Sequence, residues 1–473
     1  MSNVGNTLPS NWTLCKLGDV MKLRNGYAFK SKDYSGEGVP LVRISDIKNN
    51  VVNIENAAKI PVELVHDGYL IEDGDLLIAM SGATTGKTGV YKGIEKVLQN
   101  QRVGNFKIID ENVVSKGYRN YYIMSLRKAI EKAAYGGAQP NIAAKNIDEF
   151  PFPLAPLEQQ KRIVAKIEEL FSHIDAGIAA LNKAKQLLKQ YRQSVLKAAV
   201  TGELTKQWRE ENKDKLEPAS QLLERILKER HQKWEEQQLE QFKAKGKVPK
   251  DEGWKEKYKE PFSINPKELE IADGWVLASW DQISNWVTYG FTKPMPHVDE
   301  GIPIVTGKNV IGSRIKFENT HKTPIDEYKS LSEKDRPKVG DLLITKDGTI
   351  GRAAVVSEDI EFCINQSVAV IWLRSCPINR QYLLALIESD FIQKPIMAKA
   401  RGVAIQHLSI TDFAKLPVPL PSLQEQEEIM QELDKKLEVI ARLDRTLDEQ
   451  LTKAEREKQS ILASAFSGRL GAN

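Results

Sequence analysis

Cysteine, histidine and long apolar runs are scarce in this chain, and each scarcity excludes a class of protein. Three cysteines in 473 residues, Cys15, Cys363 and Cys376, are an odd number without CxxC spacing. Neither a disulfide framework nor a zinc cluster is indicated. The six histidines, His66, His173, His231, His297, His321 and His407, are scattered, and no HExxH, paired CxxC or GxSxG occurs. Zinc-hydrolase and serine-hydrolase chemistry thus lack their anchors, and neither a metal nor a catalytic residue is expected. No apolar run reaches the ~18 residues of a membrane span, and residues 1–7 lack the basic-then-apolar order of a signal segment. A reduced cytoplasmic setting and no membrane partner are expected. The formal charge of +4 is too small to diagnose nucleic-acid binding, so any such surface must come from local clustering.

What the chain does have is a long helical stretch, written twice. From Pro156 to Leu204, apolar or small residues fall at alternating steps of four and three: Ile163, Ile167, Leu170, Ile174, Gly177, Leu181, Ala184, Leu188, Tyr191, Val195 and Ala198. Such a heptad seam predicts one long helix built to pack on another. At ~1.5 Å per residue it would run on the order of 60–70 Å, a spacer as well as a packing surface. Gly202 stands where helices are commonly closed by a left-handed residue. Near the C-terminus Leu416-Pro-Val-Pro-Leu-Pro-Ser-Leu-Gln-Glu-Gln426 repeats Phe150-Pro-Phe-Pro-Leu-Ala-Pro-Leu-Glu-Gln-Gln160, and residues 459–470 repeat residues 193–204. The second seam runs through Ile429, Leu433, Ile440, Leu443, Leu447, Ala454 and Ile461, weakened by Lys436, Gln450 and Glu457. Matching heptads in one chain are most simply each other's partners, with Ile163, Ile167, Leu170, Ile174, Leu188 and Val195 facing Ile429, Leu433, Ile440, Leu447 and Ile461.

A chain of this length exceeds what one core supports, so several domains are expected. Residues 1–155 hold short β-branched runs, Val39–Ile44, Asp75–Ala79, Gly89–Tyr91 and Val103–Ile109, then a helical stretch over Tyr118–Ala134. The long helix takes 156–205. Residues 206–265 read as a charged helical linker, with a helix over Pro218–Lys243 whose Leu222, Leu223, Ile226 and Leu227 make one apolar face. Residues 266–420 then replay the first domain at an offset of 263 to 266, and 421–473 form the second long helix. Gly274-Trp275 matches Asn11-Trp12, Gly340-Asp-Leu-Leu-Ile344 matches Gly74-Asp-Leu-Leu-Ile78, and Asn365-Gln366 matches Asn100-Gln101. Turns diverge where framework agrees, as in Arg43-Ile-Ser-Asp46 against Thr306-Gly-Lys-Asn309. A constant scaffold with divergent loops is how binding proteins vary their targets.

The one catalytic-looking signal is Gly82-Ala-Thr-Thr-Gly-Lys-Thr88. A phosphate-cradling loop needs four residues between its first glycine and Gly-Lys-Ser/Thr, and here three intervene. The repeat, Gly348-Thr-Ile-Gly-Arg352, keeps a cation but loses the hydroxyl that would hold magnesium. A turn carrying Lys87 or Arg352 toward a phosphate backbone is the stronger reading. A nucleotide-hydrolysing enzyme using this loop, and a structural coiled-coil adaptor, are the alternatives.

Two divergent mixed domains, each followed by a long helix opened by Pro-Phe-Pro-Leu-Ala-Pro-Leu-Glu-Gln-Gln160 or its copy at 417–426 and closed by Thr-Gly-Glu-Leu204 or Ser-Gly-Arg-Leu470, resemble the specificity subunit of a type I restriction-modification system. The resemblance spans essentially the whole chain. It implies an α+β fold: two similar mixed α/β target recognition domains joined by two long helices packed as an antiparallel coiled coil, a pseudo-twofold internal repeat. It also implies a non-catalytic subunit that reads a bipartite target in double-stranded DNA. Its helices would set the spacing and dock two methyltransferase (modification) subunits, with two restriction subunits completing the assembly. No cofactor is expected in this chain; S-adenosylmethionine, ATP and Mg2+ would belong to the partners. Contacts do not carry over by position, so candidates rest on residue chemistry: Arg and Lys for guanine, Asn and Gln for adenine, Ser for phosphate. In the first domain these are Arg43, Ser45, Lys87, Gln101, Arg102, Gln139 and Asn141; in the second, Lys308, Asn309, Lys346, Arg352, Gln366, Arg401 and Gln406.

Overall fold

The fold is seen in a computed structural model that describes residues 8–48, 50–134, 142–265, 269–374, 376–402 and 406–470. The chain forms two compact units, one running through Lys183 and resuming at Leu447, the other spanning Ala184–Thr446. The long helices, Leu157–Val200 and Leu423–Phe466, each contribute to both.

In the first unit one sheet has the spatial order Met21–Asn25, Val103–Ile108, Leu76–Ala79, Thr88–Val90, Asn50–Val52, Ile47–Lys48. A second orders Ala58–Ile60, Val39–Val42, Val97–Gln99 and Leu70–Ile71, with Val39–Val42 and Val97–Gln99 parallel. Thr13–Lys16 pairs antiparallel with Pro151–Leu154, the strand that feeds the first long helix. The second unit repeats this plan: Trp286–Tyr289, Val368–Trp372, Leu342–Thr345 and Ala353–Val355 in one sheet, His321–Thr323, Ile302–Val305 and Cys363–Ile364 in another, and Val276–Ser279 beside Pro417–Leu420. They differ at the edges. Asn50–Val52 and Ile47–Lys48 extend the first unit's main sheet, whereas Val310–Ile311 and Arg314–Ile315 form a separate hairpin in the second.

Each unit buries the start of one long helix and the end of the other. In the first, Ile163 and Ile167 share a core with Leu462, Ala465 and Phe466, and Phe466 meets Tyr118 and Tyr122 edge-on at 5.1 and 5.0 Å. Further along, Lys458 pairs with Asp175 and lies 5.1 Å over the Phe171 ring. In the second, Val195, Leu196, Ala199 and Val200 share a core with Ile429, Leu433 and Ile440, and Lys185 stands 3.5 Å from Asp444. Residue numbers rise on one helix as they fall on the other, so the pairing is antiparallel within each unit.

The repeated motifs have assignable work. Gln160 is fully buried; its Oε1 accepts from Ser115 N (2.9 Å) and its Nε2 donates to the Val113 and Ala155 carbonyls (both 2.8 Å). Gln426 likewise accepts from Asn379 N (2.8 Å) and donates to the Pro421 carbonyl (3.0 Å). Ser115 and Asn379 are the N-caps of the helices Lys116–Ser125 and Arg380–Glu388. The neighbouring residue in each motif holds a tryptophan: Trp12 Nε1 donates to Gln159 (3.1 Å) and Trp275 Nε1 to Glu425 (2.8 Å). At the far ends Gly202 and Gly468 sit at φ +82° and +78°, where a Cβ would strike Ala272 or Pro9 at 2.4 and 2.3 Å. Only glycine closes a helix that way without strain.

Three sequence expectations need correction. The helical stretch over Tyr118–Ala134 is two helices, Lys116–Ser125 and Arg127–Ala134; Ser125 Oγ donates to the Tyr122 carbonyl at 2.6 Å, the kind of local bond that competes with a helix ladder. The helix expected over Pro218–Lys243 is present as Ala219–Ala244, but it is no free tether: its Ala219, Leu222 and Ile226 are buried in the second unit. Arg230 adds bonds to the Ser284 carbonyl (3.1 Å) and Asp281 (3.2 Å). Of the seam positions, Tyr191 and Leu443 are 51% and 47% exposed, while Leu170, Ile174, Leu188, Leu447 and Ile461 are half-buried. A straight helix drifts ~20° per heptad from a 3.5-residue repeat, so a stripe counted in sequence rotates out of contact. Burial concentrates instead where the helix ends enter the cores.

The Gly-Asp-Leu-Leu-Ile strands are pinned by their aspartates. Asp75 Oδ2 accepts from Glu72 N (2.9 Å), Asn105 Nδ2 (2.8 Å) and Lys107 Nζ (2.8 Å). Burial pushes its pKa up, but the Glu72 amide, Lys107 and Asn105 outweigh it and hold the carboxyl below its ordinary value. At Asp341 burial prevails over Arg374 and the Lys338 amide, and the pKa is raised.

Ile167→Ala is expected to lower the unfolding free energy of the first unit by about 2–5 kcal/mol, and Leu443→Ala by less than about 0.5 kcal/mol, in urea melts. A depressed folded pKa stabilises above the unfolded value, about 3.9, and that contribution is lost as pH falls through the folded one. Asp75→Asn is therefore expected to lower the thermal midpoint at neutral pH and to flatten its fall on acidification; equal acid slopes in both proteins would contradict this.

Candidate nucleic-acid interface

In the second unit four loops are laced together by hydrogen bonds from main-chain amides, so their side chains form one patch. Gly307 N donates to Ser367 Oγ (2.9 Å) and Lys346 N to the Ser367 carbonyl (2.9 Å). Gly348 N reaches the Gln406 carbonyl (3.0 Å), Leu408 N reaches the Lys346 carbonyl (2.8 Å), and Arg401 and His407 exchange both main-chain bonds (3.0 and 2.8 Å). Each loop is also tied within itself. Asn309 Oδ1 accepts from Thr306 N and Oγ1 (3.0 and 2.9 Å), and Asn365 Oδ1 accepts from Ser367 N and Oγ (3.1 and 2.6 Å).

Among its described residues the first unit repeats part of this lacing. Asn100 N to the Val42 carbonyl (3.1 Å) answers Asn365 N to Val305 (3.4 Å), and Gln101 N to Tyr27 (2.9 Å) answers Gln366 N to Phe291 (2.9 Å). Met80 N to Arg102 (3.0 Å) answers Lys346 N to Ser367, and Ile142 N to Met80 (3.1 Å) answers Leu408 N to Lys346. Asp46 Oδ2 closes its turn by accepting from Arg43 N (2.8 Å), as Asn309 does in the other unit. Gly26 and Gly290 let the chain pass this close: a Cβ would lie 2.3 Å from the Gln99 oxygen or 1.9 Å from the Ile364 oxygen.

Within the second unit, Lys308, Arg352, Gln366, Arg401 and Gln406 are exposed on these loops. Asn309 and Lys346 are not presented in the same way, at 9% and 5% exposure. The Asn309 oxygen is spent on its turn. Lys346 Nζ lies 3.2 Å from both Asp347 oxygens and 5.1 Å over the Tyr289 ring, a setting that keeps a buried ammonium paired. In the first unit Ser45, Lys87, Gln101 and Arg102 are exposed and Arg43 is half-buried, its Nε 3.7 Å from Asp46. Gln139 and Asn141 lie outside the described residues. Exposed guanidinium, ammonium and carboxamide groups on rigid turns suit phosphates and base edges. Asp347 and His407 belong to the same patch, and sequence reasoning misses them because they meet only through the fold.

The Gly82–Thr88 segment does not build a phosphate cradle. It joins strand Leu76–Ala79 to strand Thr88–Val90 through a single 3-10 turn, Gly82–Thr84, so no helix N-terminus follows to direct amides at a phosphate. Among the described residues no cluster of three or more His, Cys, Asp or Glu side chains is placed to hold a metal. No described helix is long and apolar enough to cross a membrane. The cysteines are unpaired, and burial pushes the Cys363 and Cys376 thiols up to about 12.

A family model described as the type I restriction modification DNA specificity domain matches residues 9–186 and 299–453, and the chain belongs to that family. The type I restriction enzyme EcoBI specificity subunit of Escherichia coli is 26% identical over 468 residues, covering 98% of this chain and 88% of that protein. The EcoDI specificity subunit of the same species is 21% identical over 469 residues, with coverage of 98% and 90%. A solved chain described under "Structural basis underlying complex assembly and conformational transition of the type I R-M system" shares the fold at a TM-score of 0.64 and 18% identity, covering 98% of this chain and 99% of its own.

Gly290→Ala is expected to destabilise the second unit by about 1–3 kcal/mol, because the added carbon meets main chain that cannot rotate aside. Gly307, also not at positive φ and with a Cβ that would meet its neighbours only at 3.6–3.7 Å, is the matched control, and a melt showing equal loss at both sites would count against the close-approach argument.

Proposed function

We propose that this protein is the non-catalytic sequence-recognition subunit of a type I restriction-modification enzyme. Each unit reads one half of an interrupted target in double-stranded DNA. The long helices set the spacing of the halves and dock two methyltransferase subunits, and two restriction subunits complete the assembly. S-adenosylmethionine, ATP and Mg2+ act in those partners. The observation that carries the reading is the duplicated loop lacing: one main-chain framework, two sets of outward side chains. That arrangement gives two readers of the same geometry and different preference. Adenine methylation beside each half requires extruding the base, which is the partner's chemistry.

The test is to map methylated adenines in DNA from cells carrying the chain with its modification subunits. A split motif is expected, and exchanging residues 1–150 for the matching domain of a relative is expected to change one half only. Changes in both halves would overturn independent reading. In the assembled complex, Lys87→Ala and Arg352→Ala are each expected to lower the slope of log affinity against log salt by about 1, as loss of one phosphate contact does. Unchanged slopes would remove those residues from the interface.

A further inference from the structure

Where the two loop patches correspond main chain for main chain, their side chains differ most sharply at one place. The bonds Leu408 N to Lys346 and Ile142 N to Met80 align Lys346 and Asp347 with Met80 and Ser81, and in sequence His407 corresponds to Asn141. In the second unit this place holds a paired cluster that spans two loops. His407 Nδ1 lies 2.5 Å from Asp347 Oδ1, and Lys346 Nζ bonds the same carboxylate from beneath. A carboxylate can only accept, so the bond to Asp347 requires the proton on Nδ1, beside which Lys346 Nζ also stands at 3.5 Å, and it leaves Nε2 unprotonated in the neutral ring. The exposures grade in the same order: the Lys346 side chain is 7% exposed, Asp347 23% and His407 54%.

The loops do not need this cluster to stay together, since the main-chain bonds of Arg401, Gly348 and Leu408 already join them. A half-exposed histidine anchored at one nitrogen, on loops that also present Arg352, Gln366, Arg401 and Gln406, has the form of a reading group. Building on the proposed function, we infer that His407 is a specificity-determining residue of the second unit, contacting a base edge of double-stranded DNA through Nε2. Asp347 is its positioning residue: it fixes the ring and its tautomer, while Lys346 holds Asp347. The first unit carries Ser81 where the second carries Asp347, and it recognises its half-site by other groups, which is one source of the difference between the halves.

The test uses the full chain with its modification subunits and reads base preference at each target position from a randomised DNA library. His407→Ala is expected to lose roughly five- to a hundred-fold discrimination at one position of one half-site and to leave the other half unchanged. Asp347→Ala is expected to weaken preference at that same position, and Asp347→Asn, whose oxygen still accepts from Nδ1, to restore most of it. Thermal midpoints check that all three variants fold. A folded His407→Ala complex with parental preference at every position overturns the inference and leaves the proposed function standing. A parental complex without any sequence preference overturns both.

Discussion

The side-chain amides of Gln160 and Gln426 are wholly buried, and each fastens three parts of its unit at once. They tie the first turn of a long helix to the chain that leads in from the preceding strand and to the amide that opens an earlier helix of the domain, Lys116–Ser125 or Arg380–Glu388. A buried amide left without partners costs about 1–3 kcal/mol, so the geometry is held by desolvation as much as by attraction. Trp12 and Trp275, bonded to the adjoining motif residue, seal the same corner with their rings. Everything outward, the sheets and the loops they carry, takes its orientation from these corners.

The loops inherit that rigidity. Strand ends that pass within main-chain distance at Gly26 and Gly290, and Asx turns at Asn100 and Asn365, leave little freedom to the segments above them. Side chains on those segments can therefore change in chemistry without changing in place. Buried charges serve structure: Lys107 and Asp75 pin one strand, Arg374 and Asp341 its counterpart.

Much of this was legible in the chain itself. Duplication, the long helices, the strand positions and the motif boundaries could be read because each repeats with a constant offset, and a repeated residue marks a repeated physical need. The candidate site was legible less completely. Lys87, Arg352, Gln366 and Arg401 are polar residues in turns between the predicted elements and stand exposed there. Asn309 and Lys346 have the same chemistry but face inward, since a turn-closing oxygen and a carboxylate partner claim them. His407 and Asp347 lie 60 positions apart, and no spacing rule connects them.

What the sequence by itself determined is architecture: heptads, glycine stops and twin motifs depend on local periodicity and backbone stereochemistry, which a linear string records. Which seam residues are buried, which polar groups are spent inside loops and which aspartate ends beside which histidine were decided only by tertiary structure. Those outcomes depend on the competition among distant groups for space, water and hydrogen bonds, and that competition exists only once the chain has closed on itself.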